Sequence, residues 1–217
     1  MNMRPGPSKF PRPDGKGCVP GTKVVPCSKG TNTGTCQPDV NCTLGTNPGR
    51  THRFYAGKAV VPFGYGLSYS TFKYDPAPSA TRISLEPVRS MLESTYSAGR
   101  TFPSSDLLQA ADPLVAYYVN VTNTGKMDAD DVVLGFMKPP GAGENGVPLQ
   151  TLFAFERVHV KAGETVSVNL YPSLTDFTAT QLDGTKEALA GEWTVQFGVK
   201  ETFEHGQGYA ELSLTTY

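Results

Sequence analysis

Apolar and polar residues alternate in short stretches over the C-terminal two-thirds of the chain. In LVAYYVNVT (114–122), the residues from Val115 to Val121 at every second position share one face of an extended strand, and Asn120 lies on the opposite face. The same alternation recurs in 164–170, 192–200 and 211–215. Turn-forming residues such as Asn123-Thr124-Gly125 separate these stretches. The pattern predicts roughly seven short strands in an immunoglobulin-like or fibronectin type III-like β-sandwich.

Two stretches fit this pattern less well. LQTLFAFERVHV (149–160) predicts two short extended pieces rather than one strand. Residues 88–113 predict a loop, with at most one helical turn near Leu107 and Leu108.

The N-terminal part has a different composition. Residues 1–66 contain 9 prolines and 11 glycines, a density at which regular secondary structure is not expected. The fold class predicted for the whole chain is therefore all-β, with a long irregular Gly/Pro-rich arm over 1–79 followed by a β-sandwich over 80–217. The arm has too few apolar residues to bury a core of its own, so it must pack against another domain if it is ordered.

Aromatic residues cluster at the end of this arm, in PFGYGLSYSTFKY (62–74). Rings of this size bury roughly 150–250 Å² each when covered, enough to fix an arm to a domain surface. We expect Phe72 and Tyr74 to pack on the chain's own sandwich. The side chains expected to dock on a domain outside this chain, with packing on the chain itself as the alternative, are Phe54, Tyr55, Phe63, Tyr65, Leu67 and Tyr69.

Two arginines lie beside these rings, Arg50 and Arg53. They could border a cleft of a neighbouring domain and donate hydrogen bonds to whatever binds there. An ion pair that locks two domains together is the alternative, and we favour it over the cleft rim.

Charge and hydropathy exclude two classes of partner. The chain has 19 basic and 20 acidic residues and no long block of either sign, which argues against nucleic acid and membrane-surface binding. No apolar run approaches the roughly 20 residues of a membrane-spanning helix. The N-terminus also lacks the apolar stretch of a secretory signal, so we expect either a cytosolic protein or a natural start upstream of Met1.

The cysteines point to an oxidising compartment. All four lie within a Gly/Pro/Thr-rich stretch of the arm, at Cys18, Cys27, Cys36 and Cys42. We predict disulfides with undetermined pairing, because the spacing does not fit a zinc site; free thiols are the alternative in a cytosolic protein. Asn41 and Asn120 begin N-glycosylation tripeptides, and the strand pattern places Asn120 on an outward face.

No catalytic, metal or cofactor site is predicted. The histidines form no metal-binding motif, and His159 is predicted at an exposed strand position. Catalysis by a pair of carboxyl groups requires both groups to be held close together in a cleft. The acids considered are instead predicted to be solvated, at turns or strand ends: Asp106, Asp112, Asp128, Asp130, Asp131, Glu144 and Glu156.

Four blocks in order resemble a known family: residues 49–74, 120–137, 148–170 and 191–199, with the P-F-G-Y-G-L-S-Y-[ST]-x-F pattern in the first. They resemble the C-terminal part of family 3 glycoside hydrolases of the β-xylosidase and β-glucosidase type. The resemblance implies a linker and a last, fibronectin type III-like domain. The catalytic barrel and the α/β sandwich domain that carry the family's nucleophile and acid/base residue have no counterpart in this sequence.

The resemblance implies an inactive chain that braces the catalytic domains of an extracellular enzyme acting on β-linked xylose or glucose. The missing barrel and α/β domain would be its partners, and a polysaccharide is a further one. Two alternatives stay open: a free-standing module that binds carbohydrate or protein, and a truncated gene model with no separate role.

Overall fold

The computed structural model describes residues 6–7, 46–47, 49–57, 59–77, 80–103, 113–144, 146–181, 183–200 and 208–217. The chain divides into two compact units, Met1–Lys58 and Ala59–Tyr217. In the first unit, strands β1 (Gly6–Pro7) and β2 (Thr46–Asn47) pair antiparallel, and a one-turn helix α1 covers Thr51–Phe54.

The second unit is built from two β-sheets. Their strands are β3 (Phe72–Pro76), β4 (Arg82–Ile83), β5 (Tyr117–Asn123), β6 (Ala129–Lys138), β7 (Thr151–Val160), β8 (Thr165–Leu170), β11 (Gly191–Gly198) and β12 (Tyr209–Thr216). The larger sheet has the order β4-β12-β11-β6-β7, and the smaller one has the order β3-β5-β8. A short hairpin of β9 (Thr178–Thr180) and β10 (Lys186–Ala188) lies after a 3-10 turn at Leu174–Phe177. The predicted all-β fold class is confirmed.

The hydrophobic core contains the residues that alternation predicted. Val115, Tyr117, Val119 and Val121 are all buried, and the residues between them are more exposed. The corresponding residues of β11, from Trp193 to Phe197, are buried in the same core. Strand periodicity alone therefore identified the inward faces of the central strands.

The prediction of a loop over 88–113 is wrong at its start, where helix α2 covers Glu86–Ser97. Pro87 and Glu86 suit a helix N-terminus, since proline fixes φ there and a carboxylate complements the helix dipole. The buried residues Val88, Met91, Leu92 and Thr95 have the i, i+3, i+4, i+7 spacing of one helix face. Leu107 and Leu108 lie outside the described residues.

Two strand predictions also differ from the structure. Residues 151–160 form one strand rather than two pieces, because a bulge opposite Gly135 and Phe136 absorbs the break in alternation. Strand β3, which lies within the predicted arm, pairs with β5 along its whole length. Its residues Phe72 and Tyr74 are buried in the sandwich core, as expected.

Candidate docking surface

The aromatic segment crosses the outer face of the five-stranded sheet, the face turned away from the core. The Phe63 ring packs edge-on against Phe136 of β6, with ring centroids 6.1 Å apart. Gly64 has φ +85°, and a Cβ there would lie 2.3 Å from the Leu134 side chain, so a larger residue would be strained at this position. Tyr65 N donates to the Pro62 carbonyl at 3.2 Å and closes a turn. These contacts fix one end of the segment.

Hydrogen bonds to the turn between β5 and β6 fix the other end. Ser70 Oγ donates to Asn123 Oδ1 at 2.6 Å, and the Asn123 amide donates to the carbonyls of Met127 and Val160 at 2.8 and 2.9 Å. Asn123 is fully buried, and its side chain has partners at both the oxygen and the nitrogen. Thr124 N donates to the Thr71 carbonyl at 2.8 Å. Residues 59–70, called the docking segment below, are thus held at two points.

Between these points the segment presents apolar side chains to solvent. Leu67 is 78% exposed and Tyr69 is 94% exposed, whereas Phe63 is about half exposed and Tyr65 is half-buried. Sequence analysis missed further exposed apolar residues on the segment and on the outer face of β6 and β7: Val60, Val61, Val132 and Phe155. Phe155 pairs with Leu134, which itself contacts the segment at Gly64. An apolar surface therefore spreads from the segment onto the sheet.

The remaining predicted docking and rim residues lie in the first unit. Phe54 is buried and Tyr55 is exposed, and the Arg53 guanidinium lies 5.4 Å from the centre of the Phe54 ring. Arg50 and Arg53 are both exposed. Thr51 has φ +62°, a left-handed conformation that is unusual for a β-branched residue. The docking and rim roles of these residues stay predictions.

One acid that was predicted to be solvated is buried. Asp131 lies on the inner face of β6, where Tyr74 Oη of β3 donates a 2.6 Å hydrogen bond to its Oδ2. Burial raises the pKa of the Asp131 carboxyl, and hydrogen bonds from Tyr74 and from the Val132 backbone oppose that shift. Burial, followed by the Asp131 charge, also raises the pKa of Tyr74. The pair links the two sheets across the core.

Close packing around the Tyr74 ring explains why this pair is so enclosed. A Cβ at Gly208 would lie 2.1 Å from Tyr74 Cδ1, and one at Gly198 would lie 3.0 Å from its Cε2. Two glycines therefore form a slot for the ring. The sequence signal for this arrangement is a carboxylate on the inward side of a strand that otherwise alternates apolar and polar.

The neighbouring acid, Asp130, lies on the opposite face of β6. It accepts hydrogen bonds from Arg157 Nη2 and from the His159 Nδ1 position, each at 2.6 Å. The bonds with His159 and Arg157 lower the pKa of Asp130. The predicted exposed position of His159 is confirmed. Because Asp130 and Asp131 point to opposite faces of one strand, they cannot act together on one substrate.

Several predicted sites lie outside the described residues, namely the four cysteines, Asn41, Asp106 and Asp112. Asn120 lies on the outer face of β5 and is half-buried. In the described ranges, no group of three or more potential metal-ligating side chains is found. No helix there is long and apolar enough to cross a bilayer.

Comparison with known proteins places the chain in a family. No protein-family model matches it. Beta-D-xylosidase 1 of Arabidopsis thaliana is 39% identical over 132 residues, which are 58% of this chain and 17% of the relative. A protein of Aspergillus fumigatus named "Probable exo-1,4-beta-xylosidase" is 36% identical over 166 residues, which are 76% of this chain and 20% of the relative. The chain thus spans about a fifth of the length of these curated relatives.

A solved structure agrees at the level of the fold. A family 3 exo-β-xylosidase bound to a xylobiose aziridine activity-based probe matches with a TM-score of 0.58 and 20% identity, covering 79% of this chain and 20% of that one. The resemblance seen in the four sequence blocks is therefore confirmed by sequence relatives and by fold. The chain belongs to glycoside hydrolase family 3, and it corresponds to a C-terminal portion of enzymes of the β-xylosidase and β-glucosidase type.

Proposed function

We propose that this chain is the non-catalytic C-terminal region of an extracellular family 3 glycoside hydrolase that acts on β-linked xylosides or glucosides. Its role is to brace the catalytic domains by packing its docking segment against them. One observation carries the proposal: the segment is fixed at both ends, yet its middle presents Leu67 and Tyr69 almost fully to solvent.

A fixed apolar segment is suited to binding another protein surface. Large exposed apolar side chains that lie close together are typical of interfaces rather than of free surface. The contacts at Phe63 and Ser70 order the segment before it binds, so association loses less conformational entropy. The four-fifths of the relatives' length that this chain does not span supplies a natural partner of that kind.

The disposition of the acids supports a non-catalytic role. Asp131 is buried against Tyr74 in the core, and Asp130 is held on the opposite face by Arg157 and His159. Neither is available to face a second carboxyl group across a sugar-sized cleft, which glycoside hydrolysis requires. The reaction would therefore depend on groups in the rest of the enzyme.

A chimera tests the bracing role. The matched C-terminal fifth of the Aspergillus fumigatus relative is replaced by this chain, and hydrolysis of an aryl β-xyloside is followed during heating. We expect an active chimera, and we expect Leu67→Ser combined with Tyr69→Ser to shorten its half-life at elevated temperature several-fold. Tyr171→Ser, at another exposed tyrosine outside the segment, is the matched control and should leave the half-life unchanged.

Three results would contradict the proposal. An inactive unmodified chimera, or a double variant as heat-resistant as its control, would argue against docking through this segment. Turnover of an aryl β-xyloside or β-glucoside by the isolated chain would argue against a non-catalytic role. Retention of the isolated chain on insoluble xylan that is lost in Tyr69→Ser would instead support a free-standing carbohydrate-binding module.

A further inference from the structure

The outer face of the smaller sheet differs from the docking surface in being almost entirely polar. On the central strand β5, Tyr118, Asn120 and Thr122 point outward, because they alternate with the core residues. The side chains beside them on β3 and β8 are short or flexible and exposed: Lys73, Asp75, Thr165, Ser167 and Asn169. No bulky side chain is paired with Asn120, whose cross-strand partners are Asp75 and Ser167.

The side-chain amide of Asn120 is also without a hydrogen bond among the described residues, although it lies half-buried in the sheet. Asn123, three residues later, is the contrasting case. Its amide nitrogen donates to two carbonyls and its oxygen accepts from Ser70 and from Gly125 N. A half-buried amide that has room around it and no partner in the described part of the chain is suited to carry a covalent substituent.

We propose that Asn120 carries an N-linked glycan whose first sugar lies over the ring of Tyr118. Asn120-Val121-Thr122 has the tripeptide pattern that N-glycosylation requires. In the reaction, Asn120 Nδ2 forms a bond to the anomeric carbon of a lipid-linked oligosaccharide. The lipid diphosphate leaves, and the amide loses one proton. The inference rests on the extracellular location proposed above, since the modifying machinery lies on the secretory route.

Tyr118 is placed to hold the attached sugar. It precedes Asn120 by two residues, so the two side chains are neighbours on one face of the strand. The Tyr118 side chain is 44% exposed and offers an apolar ring with a polar hydroxyl, a combination that suits the mixed surface of a sugar. The glycan would cover the smaller sheet and leave the apolar outer face of the larger sheet free for docking.

The site is tested by producing the full chain with an added secretion signal in a eukaryotic host. Treatment with peptide N-glycosidase should increase its electrophoretic mobility. In Asn120→Gln and in Thr122→Val, the mobility change caused by the glycosidase should be smaller by the contribution of one glycan. Thr122→Ser keeps the hydroxyl and should retain the full change. Asn41→Gln, at the other tripeptide, controls for the second site. Unchanged mobility in Asn120→Gln would overturn the proposal.

A second measurement tests the contact with Tyr118. The melting temperature is compared before and after enzymatic removal of the glycan, in the parent chain and in Tyr118→Ala. We expect the glycan to raise the melting temperature of the parent and to have a smaller effect in the variant. An equal effect in both would refute the stacking of the sugar on Tyr118. The chimera that tests the docking segment can be made in bacteria, which attach no such glycan. A negative result for the glycan would therefore not affect the outcome of the docking test.

Discussion

The hydrogen bond between Tyr74 and Asp131 offers the sharpest test of the structure, because the same sandwich contains a matched control. Tyr74→Phe deletes one hydroxyl that donates to a buried carboxyl group at 2.6 Å. Tyr117→Phe deletes a hydroxyl of equal size that is equally enclosed but has no hydrogen-bond partner among the described residues. Both tyrosines lie in the core, so the loss of packing is nearly the same in the two variants.

The two substitutions are expected to change the free energy of unfolding by different amounts. A hydrogen bond to a charged group contributes about 1.5–3 kcal/mol, and leaving the carboxylate buried with one partner fewer adds to the loss. We therefore expect Tyr74→Phe to lower the free energy of unfolding by about 2–4 kcal/mol at pH 7.5. Tyr117→Phe relieves an unsatisfied buried hydroxyl, so its stability should lie within about 1 kcal/mol of the parent or above it.

The pH dependence provides a second criterion. Burial raises the pKa of Asp131 in the folded state above its pKa in the unfolded chain, which is about 3.9. The protein therefore loses stability as the pH rises from the unfolded-state pKa through the folded-state pKa. The Tyr74 hydroxyl favours the ionised carboxyl and lowers that folded pKa. Removing this hydroxyl raises the folded-state pKa of Asp131 further. Tyr74→Phe should therefore lose more stability than the parent between pH 4 and pH 8.

Urea unfolding of the full chain at several pH values measures both effects. Trp193, the only tryptophan, is 3% exposed in β11 and reports on the core by its fluorescence. The destabilisation by Tyr74→Phe should increase from pH 4 to pH 8, whereas that by Tyr117→Phe should stay constant. Equal effects of the two variants, or a constant effect of Tyr74→Phe over this range, would refute the buried ion–hydroxyl contact.

Three further substitutions test other parts of the structure. Gly64→Ala places a Cβ against Leu134 at a positive φ and should lower the unfolding free energy by about 1–3 kcal/mol in urea titrations; an unchanged value would argue against this contact. Asn123→Ala removes the buried hydrogen-bond partner of Ser70 and should lower the free energy of unfolding by about 2–4 kcal/mol, with faster proteolysis near residue 70. A docking segment that stays intact in limited proteolysis would argue against this anchor. Asp130→Asn should reduce stability only slightly at neutral pH. The difference in stability between variant and parent should vanish as the pH falls through the lowered pKa of Asp130 or as salt is added. A difference that persists at high salt would contradict a solvent-exposed ion pair.

The sequence by itself determined which side of each central strand faces the core. Alternation at a period of two depends only on local backbone geometry, so the inward orientation of Val119 and Trp193 follows from the sequence alone. It also carried the resemblance, because the four blocks are preserved as linear patterns. Helix α2 had a readable signal in the spacing of Val88, Met91 and Leu92, but the serines among and after these residues obscured it.

Only the tertiary structure decided where Asp131 and the docking segment lie. The burial of Asp131 depends on Tyr74, 57 residues away on the other sheet, and no local pattern encodes that contact. The anchoring of residues 59–70 likewise depends on Phe136 and Asn123, which pairing of distant strands brings beneath the segment. Local periodicity sets the orientation of side chains, whereas their partners are set by how the two sheets pack together.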